Sequence, residues 1–166
     1  MHNTSILTET ALPQYELVQN ARNSMFAHCG TLSQADFITP LSGFGDSSVR
    51  NLLVHIVNVY RFWLGSFALH QGLPSFRPEQ MQRMDDIRPL FAQTDLLVNI
   101  FLHRFQSAPE TPITGKIPGR EEPFTTKPLT IFTHVITHEF HHKGQIMSMT
   151  RQLGYIPPDT DVIRFS

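Results

Sequence analysis

Cysteine is nearly missing from this chain: Cys29 stands alone among 166 residues. A lone thiol closes no internal disulfide, so a disulfide scaffold and a thiolate-rich structural metal site are excluded, and a reducing compartment fits. An excess of either charge is missing as well. Thirteen Lys and Arg face fourteen Asp and Glu, a net of -1, which leaves no cationic surplus to condense onto phosphate or an anionic bilayer. Nucleic-acid and membrane partners are therefore disfavoured. Long apolar runs are absent too. The best window, residues 51–69, is broken by His55, Asn58 and Arg61, short of the ~20 apolar residues of a membrane span. The first twenty residues include Glu9, Pro13 and Glu16 and show neither a basic start nor an apolar stretch of signal-peptide length. The expectation is a soluble, cytoplasmic protein. What the chain does have is thirteen Phe with abundant Leu, Ile and Val, enough apolar surface to offset the chain entropy of folding. Its length suits one domain over residues 1–166. It also has nine histidines, four of them packed between His134 and His142.

Local signals divide the chain into four helical stretches. Pro13 at a first helical position, with Gly30 after the end, predicts a helix over residues 14–29. The turn-like GFGDSS offers Asp46, Ser47 or Ser48 as the cap of a second helix over 49–69, with Gly72 and Pro74 past its end. Residues 73–89 carry three prolines and read as an irregular connection to a third helix over about 90–106, closed by Pro109 and Pro112. TPITGKIPGREEPFTTKP, residues 111–128, holds four prolines and a Pro-Gly turn signal and predicts a short hairpin or extended crossover. The longest helical pattern runs over 129–153, ended by Gly154 and then Pro157 and Pro158. Four such helices in one small chain point to an all-α fold, a four-helix bundle.

On a wheel of about 100° per residue, Ile131, Val135, Ile146, Met149 and Leu153 of the last helix share an arc of about 60°, read as its core-facing stripe. His142 falls inside that arc and His138 about 20° beyond its edge, so the two project to one side at i, i+4, the spacing at which two imidazoles share one ion. A buried imidazole without a partner costs about 1–3 kcal/mol, and two in adjacent turns demand compensation. Histidine is the commonest side-chain ligand for zinc, nickel, copper and non-haem iron. The third ligand should come from another helix. In the second, Leu52, Ile56, Val59, Tyr60, Trp63, Leu64 and Phe67 define the buried arc, and His55 sits at its border, about 40° from Val59. His103 lies on the far side of the third helix, and His28, His70 and His2 fall at helix ends or in a tail. The set selected is His55, His138 and His142. Three neutral imidazoles leave positions open on a divalent ion, as a reactive site requires.

His138, Glu139, Phe140, His141 and His142 also spell H-E-x-x-H, the zincin protease signature. That reading fails downstream: no Glu or His follows His142, and Gln145 occupies the glycine position of the extended motif. Glu139 is read as a solvated flank charge in preference to a partner of a ligand ring. His134 and His141 stay open between those two roles. Tyr60, Trp63 and Phe67 could wall a cavity beside His55, but aromatics at helical spacing are taken as core. Cys29 reads as a small buried residue at a helix end.

NLLVHIVNVYRFWL in the second helix, THVITHEFHHKGQI in the last and LGYIPPDTDVI at the end, with QYELVQNARNSMF in the first, resemble the DinB family of bacterial proteins. The similarity runs along nearly the whole chain. It implies an up-down-down-up bundle carrying a metal on three histidines, which fall here on His55, His138 and His142. It also implies a homodimer and, as in some relatives, transfer or isomerisation that uses a low-molecular-weight thiol such as bacillithiol or mycothiol. The function expected is therefore divalent-metal binding, with zinc or nickel ahead of iron or manganese. A small-molecule electrophile would be the substrate of a thiol S-transferase or related hydrolase, with catalytic residues unassigned. The alternative is a bundle that binds a metal or ligand without catalysis, in a stress response, and a third reading is a purely structural bundle.

Overall fold

The computed structural model describes residues 6–165, with side chains from residue 9 onward; His2, read above as part of a tail, lies outside the described residues. Helix α1 spans Ile6–Cys29 with Pro13 inside it, so the expectation that Pro13 starts the helix is corrected. An interior proline removes one backbone hydrogen bond and costs about 3 kcal/mol, but Ala11 and Tyr15 on either side are both buried. Their burial holds the extra turns in place. A five-residue helix, α2 (Gln34–Ile38), follows. It was not expected, because five residues are too few to show a period; its start is nonetheless written in Ser33, whose Oγ accepts from the Asp36 amide at 3.1 Å and donates to the Asp36 carboxylate at 2.7 Å.

Ser48 caps α3 (Val49–Tyr60) by accepting from the Asn51 amide at 3.1 Å. The chain then continues without a break into a π-helical stretch, Arg61–Ala68, where the Leu69 amide reaches back to the Leu64 carbonyl at 3.0 Å. The expected span to residue 69 is right in path and differs in its bonding pattern. Gly65 lies under the returning chain: a Cβ there would run into the Leu73 side chain. Helix α4 covers Met84–Phe105, six residues earlier than expected. Asp86 accepts from the amides of Gln82 and Arg83 at 2.8 and 3.1 Å, and Pro89 is accommodated early in the helix. The hairpin exists. Strands β1 (Ile113–Gly115) and β2 (Phe124–Thr126) pair antiparallel, with Gly119 in the turn at φ 81°. Helix α5 is Pro128–Gln152, with Gly154 beyond its end at φ 94°.

The structure is thus mostly helical with one two-stranded sheet. The principal packing partners form a closed ring, α1 on α5, α5 on α3, α3 on α4 and α4 on α1. Between them lie Met25 from α1, Leu53 and Ile56 from α3, Phe91 and Phe101 from α4, and Phe132, Val135 and Ile146 from α5. No helix among the described residues is long and apolar enough to cross a membrane.

Candidate metal centre

At the centre of that ring is a charged cluster. Arg22 of α1 is 2 % exposed. Its Nε and Nη2 donate to the two carboxylate oxygens of Glu139 on α5 at 2.6 and 2.9 Å, and its Nη1 donates to Asp95 of α4 at 2.6 Å. Tyr60 of α3 donates to Glu139 at 2.6 Å, and Tyr15 of α1 donates to Asp95 at 2.7 Å. Burial, with Glu139 close by, drives the Tyr60 hydroxyl well above its ordinary pKa, so it remains a donor. One cluster therefore ties all four long helices together.

Glu139 at 2 % exposure overturns its reading as a solvated flank charge. The buried arc of α5 includes Phe132, Met147 and Thr150 as well as the aliphatic residues, so it centres on Val135, Glu139 and Ile146. His142 and His138 lie about 40° and about 80° to one side of that centre. The histidines are thus at the rim of the core rather than in it: His138 and His142 are half-buried and His55 is exposed. With both oxygens engaged by Arg22 and Tyr60, Glu139 is also removed as the general base of an H-E-x-x-H protease.

All three selected histidines come together. His138 Nε2 lies 3.3 Å from His55 Nε2 and 3.2 Å from His142 Nε2, and the three form a group whose ligand atoms all fall within 4.8 Å of one another. A tetrahedral ion with bonds of about 2.0–2.1 Å holds its ligand nitrogens about 3.4 Å apart. The two short separations fit that requirement. His138 also lacks an ordinary alternative: its Nδ1 is buried without a hydrogen-bond partner, and the side-chain neighbours of its Nε2 are the His55 and His142 nitrogens. Burial lowers the pKa of each of the three, and the neighbouring imidazoles lower His138 further, to about 4. Near neutral pH the cluster is uncharged, the form that binds a metal.

His142 Nδ1 donates to Gln145 Oε1 at 2.6 Å. An amide oxygen only accepts, so the proton is fixed on Nδ1 and the Nε2 lone pair faces the other rings. Gln145 escaped the sequence reading, as did Arg22, Tyr15 and Asp95. Arg22 was findable: with Tyr15, Val18, Met25 and Cys29 it repeats at helical spacing on one face, a charge inside an apolar stripe. Of the residues left open, His134 packs its ring 5.2 Å from Trp63 and 5.7 Å from His138, and His141 lies 5.0 Å from His142; neither joins the converging nitrogens. Tyr60 and Phe67 are buried as expected, while Trp63 is half-buried and walls a surface cleft with His134. His103 and His70 are exposed, and His28 bonds to Thr150 Oγ1 at 3.0 Å. Cys29 is buried at its helix end, which pushes its thiol up to about 12.

Fold and site define a helical protein with three convergent imidazoles able to hold a divalent cation. The chain belongs to the DinB family, whose model matches residues 6–166. No curated protein matches it.

Proposed function

We propose that residues 1–166 form one DinB-type domain, a four-helix bundle in the up-down-down-up order, and that His55, His138 and His142 hold a catalytic divalent cation, zinc or nickel ahead of iron or manganese. The reaction is transfer of a low-molecular-weight thiol to a small electrophile, carried out by a cytoplasmic homodimer. The observation that carries this reading is the approach of the Nε2 atoms of His55 and His142, from two helices, to His138 Nε2 at 3.3 and 3.2 Å, the separation between neighbouring ligands of a tetrahedral ion. A cation bound there supplies Lewis acidity, lowering the pKa of a thiol or water in an open position.

The chain's own residues prepare the site. Gln145 sets the tautomer of His142, and the clamp of Arg22 and Tyr60 on Glu139 stops α5 turning, so that His138 stays aimed at His55. Glu139 takes no part as a base, which favours thiol transfer over the hydrolytic alternative. The test has two stages. Protein purified without a histidine tag should carry close to one equivalent of metal by elemental analysis; less than about a tenth of an equivalent of zinc, nickel, iron or manganese removes the basis. Metal-loaded protein should then transfer a small thiol to a chromogenic electrophile, and His138→Ala should abolish the turnover. Full metal with no turnover across several thiols would leave the non-catalytic binding reading in its place.

A further inference from the structure

Beside the three histidines is a cleft of about 310 Å³ between the π-helical stretch, the hairpin and α5. We propose that it binds a small planar aromatic carboxylate, the ring packed against the adjoining edge-to-face pair Trp63 and Phe124 and the anion on Arg120. The residues form a track. The Arg120 guanidinium lies 5.5 Å from the Phe124 ring centre, Phe124 is 6.2 Å from Trp63, Trp63 is 5.2 Å from His134, and His134 is 5.7 Å from His138. Ile117 and Ile131 complete the walls. A volume near the lower end for ligand pockets admits one aromatic ring with small substituents and little more.

Two features set this cleft apart from an ordinary surface groove. Trp63 is carried by the π-helical segment, a distortion found often at functional sites because it re-aims side chains. The facing wall is held to the same segment, since Gly115 of β1 sits so close to Phe67 that a Cβ would stand 2.9 Å from its ring. The polarity at the mouth then decides the ligand. Arg120 is exposed and makes no side-chain hydrogen bond or ion pair among the described residues, which leaves its planar fork available for a carboxylate. Glu121 and Glu122 follow it in the turn but do not line the cleft. Aromatic walls with one guanidinium select a flat body bearing one anion. The pocket rests on the functional reading in one respect: the end of the ligand away from Arg120 would lie beside His134, one helical turn from His138.

Trp63 is the only tryptophan in the chain, so its fluorescence reports on this cleft alone. Chelator-treated full-length protein is titrated with 4-nitrobenzoate, with 4-nitrobenzyl alcohol and acetate as controls. The expected result is saturable quenching by 4-nitrobenzoate that weakens roughly tenfold in Arg120→Gln, a loss of one charge-assisted contact. The neutral alcohol should bind more weakly and be indifferent to the substitution. Quenching linear in concentration for both nitro compounds, or saturation unchanged in Arg120→Gln, would overturn the proposal. So would binding that appears only after metal is restored and survives Arg120→Gln, since the carboxylate would then belong to the cation. Because the titration uses metal-free protein, its failure leaves the three-histidine reading standing, and failure of the metal analysis leaves the pocket standing.

Discussion

His138 is the pivot of the candidate centre, since its Nε2 is the atom that approaches both other rings. Removing that imidazole leaves two ligands on separate helices, and His138→Ala should lower bound metal from near one equivalent to under about a tenth. His134→Ala, one turn away and outside the converging set, should leave the content unchanged; equal losses from both would show that the ion is not held as described. Gln145 gives a finer test. Replacing its amide by Leu keeps the bulk and deletes the acceptor at 2.6 Å from His142 Nδ1, freeing the ring to turn and to carry its proton on the wrong nitrogen. Affinity for zinc, read by competition with a chelating dye, should fall about 10–100-fold while saturation still reaches one equivalent. An unchanged affinity would mean that packing alone orients the ring.

At the scale of elements, the question is what stops α5 from rolling. Hydrophobic packing alone tolerates small rotations, whereas a bidentate Arg22–Glu139 pair at 2 % exposure does not. Arg22→Met should destabilise the fold by about 3–5 kcal/mol in urea unfolding, because Glu139 would then be buried with only the Tyr60 hydroxyl to face it. Adding Glu139→Gln should recover part of that loss, a coupling that two independent sites would lack. The same cluster explains what the sequence could and could not disclose. The i, i+4 pair and the border position of His55 were legible because helical periodicity fixes which residues share a side, and Ser48, Gly119 and Gly154 marked turns and ends by their own backbone chemistry. Glu139 was misjudged because charge was taken to mean solvent; only a partner 117 residues away, Arg22, makes its burial affordable. The early starts of α1 and α4 were hidden for a related reason: proline lowers local helix propensity, and the burial that overrides it is tertiary. A π-helical stretch leaves no periodic trace that a wheel of fixed pitch would detect.

For the whole molecule, the histidines make stability depend on pH in a stated direction. Burial lowers the pKa of His28, His55, His134 and His142 below the ordinary 6.5, and burial with its imidazole neighbours takes His138 down to about 4. Above pH 6.5 these groups are neutral in the folded and unfolded chain alike, and stability is at its full value. As pH falls below 6.5 the unfolded chain takes up protons that the folded chain refuses until its lower pKa values are reached, so stability is lost progressively toward pH 4. The metal-free protein should therefore hold a constant Tm from pH 8 to 7 and lose Tm between pH 6.5 and 5.5, a window above the range in which ordinary carboxylates titrate. Replacing His28 and His138 together by Gln should flatten that loss, because two of the groups that resist protonation are gone. With one equivalent of zinc the Tm at pH 7 should rise and the fall on acidification should steepen, since protons then displace the ion as well as favour the unfolded chain. A metal-free Tm that stays level from pH 7 to 5.5, or rises, would show that these rings are free to accept protons in the folded state, and the packed, neutral cluster that the metal reading requires would not exist.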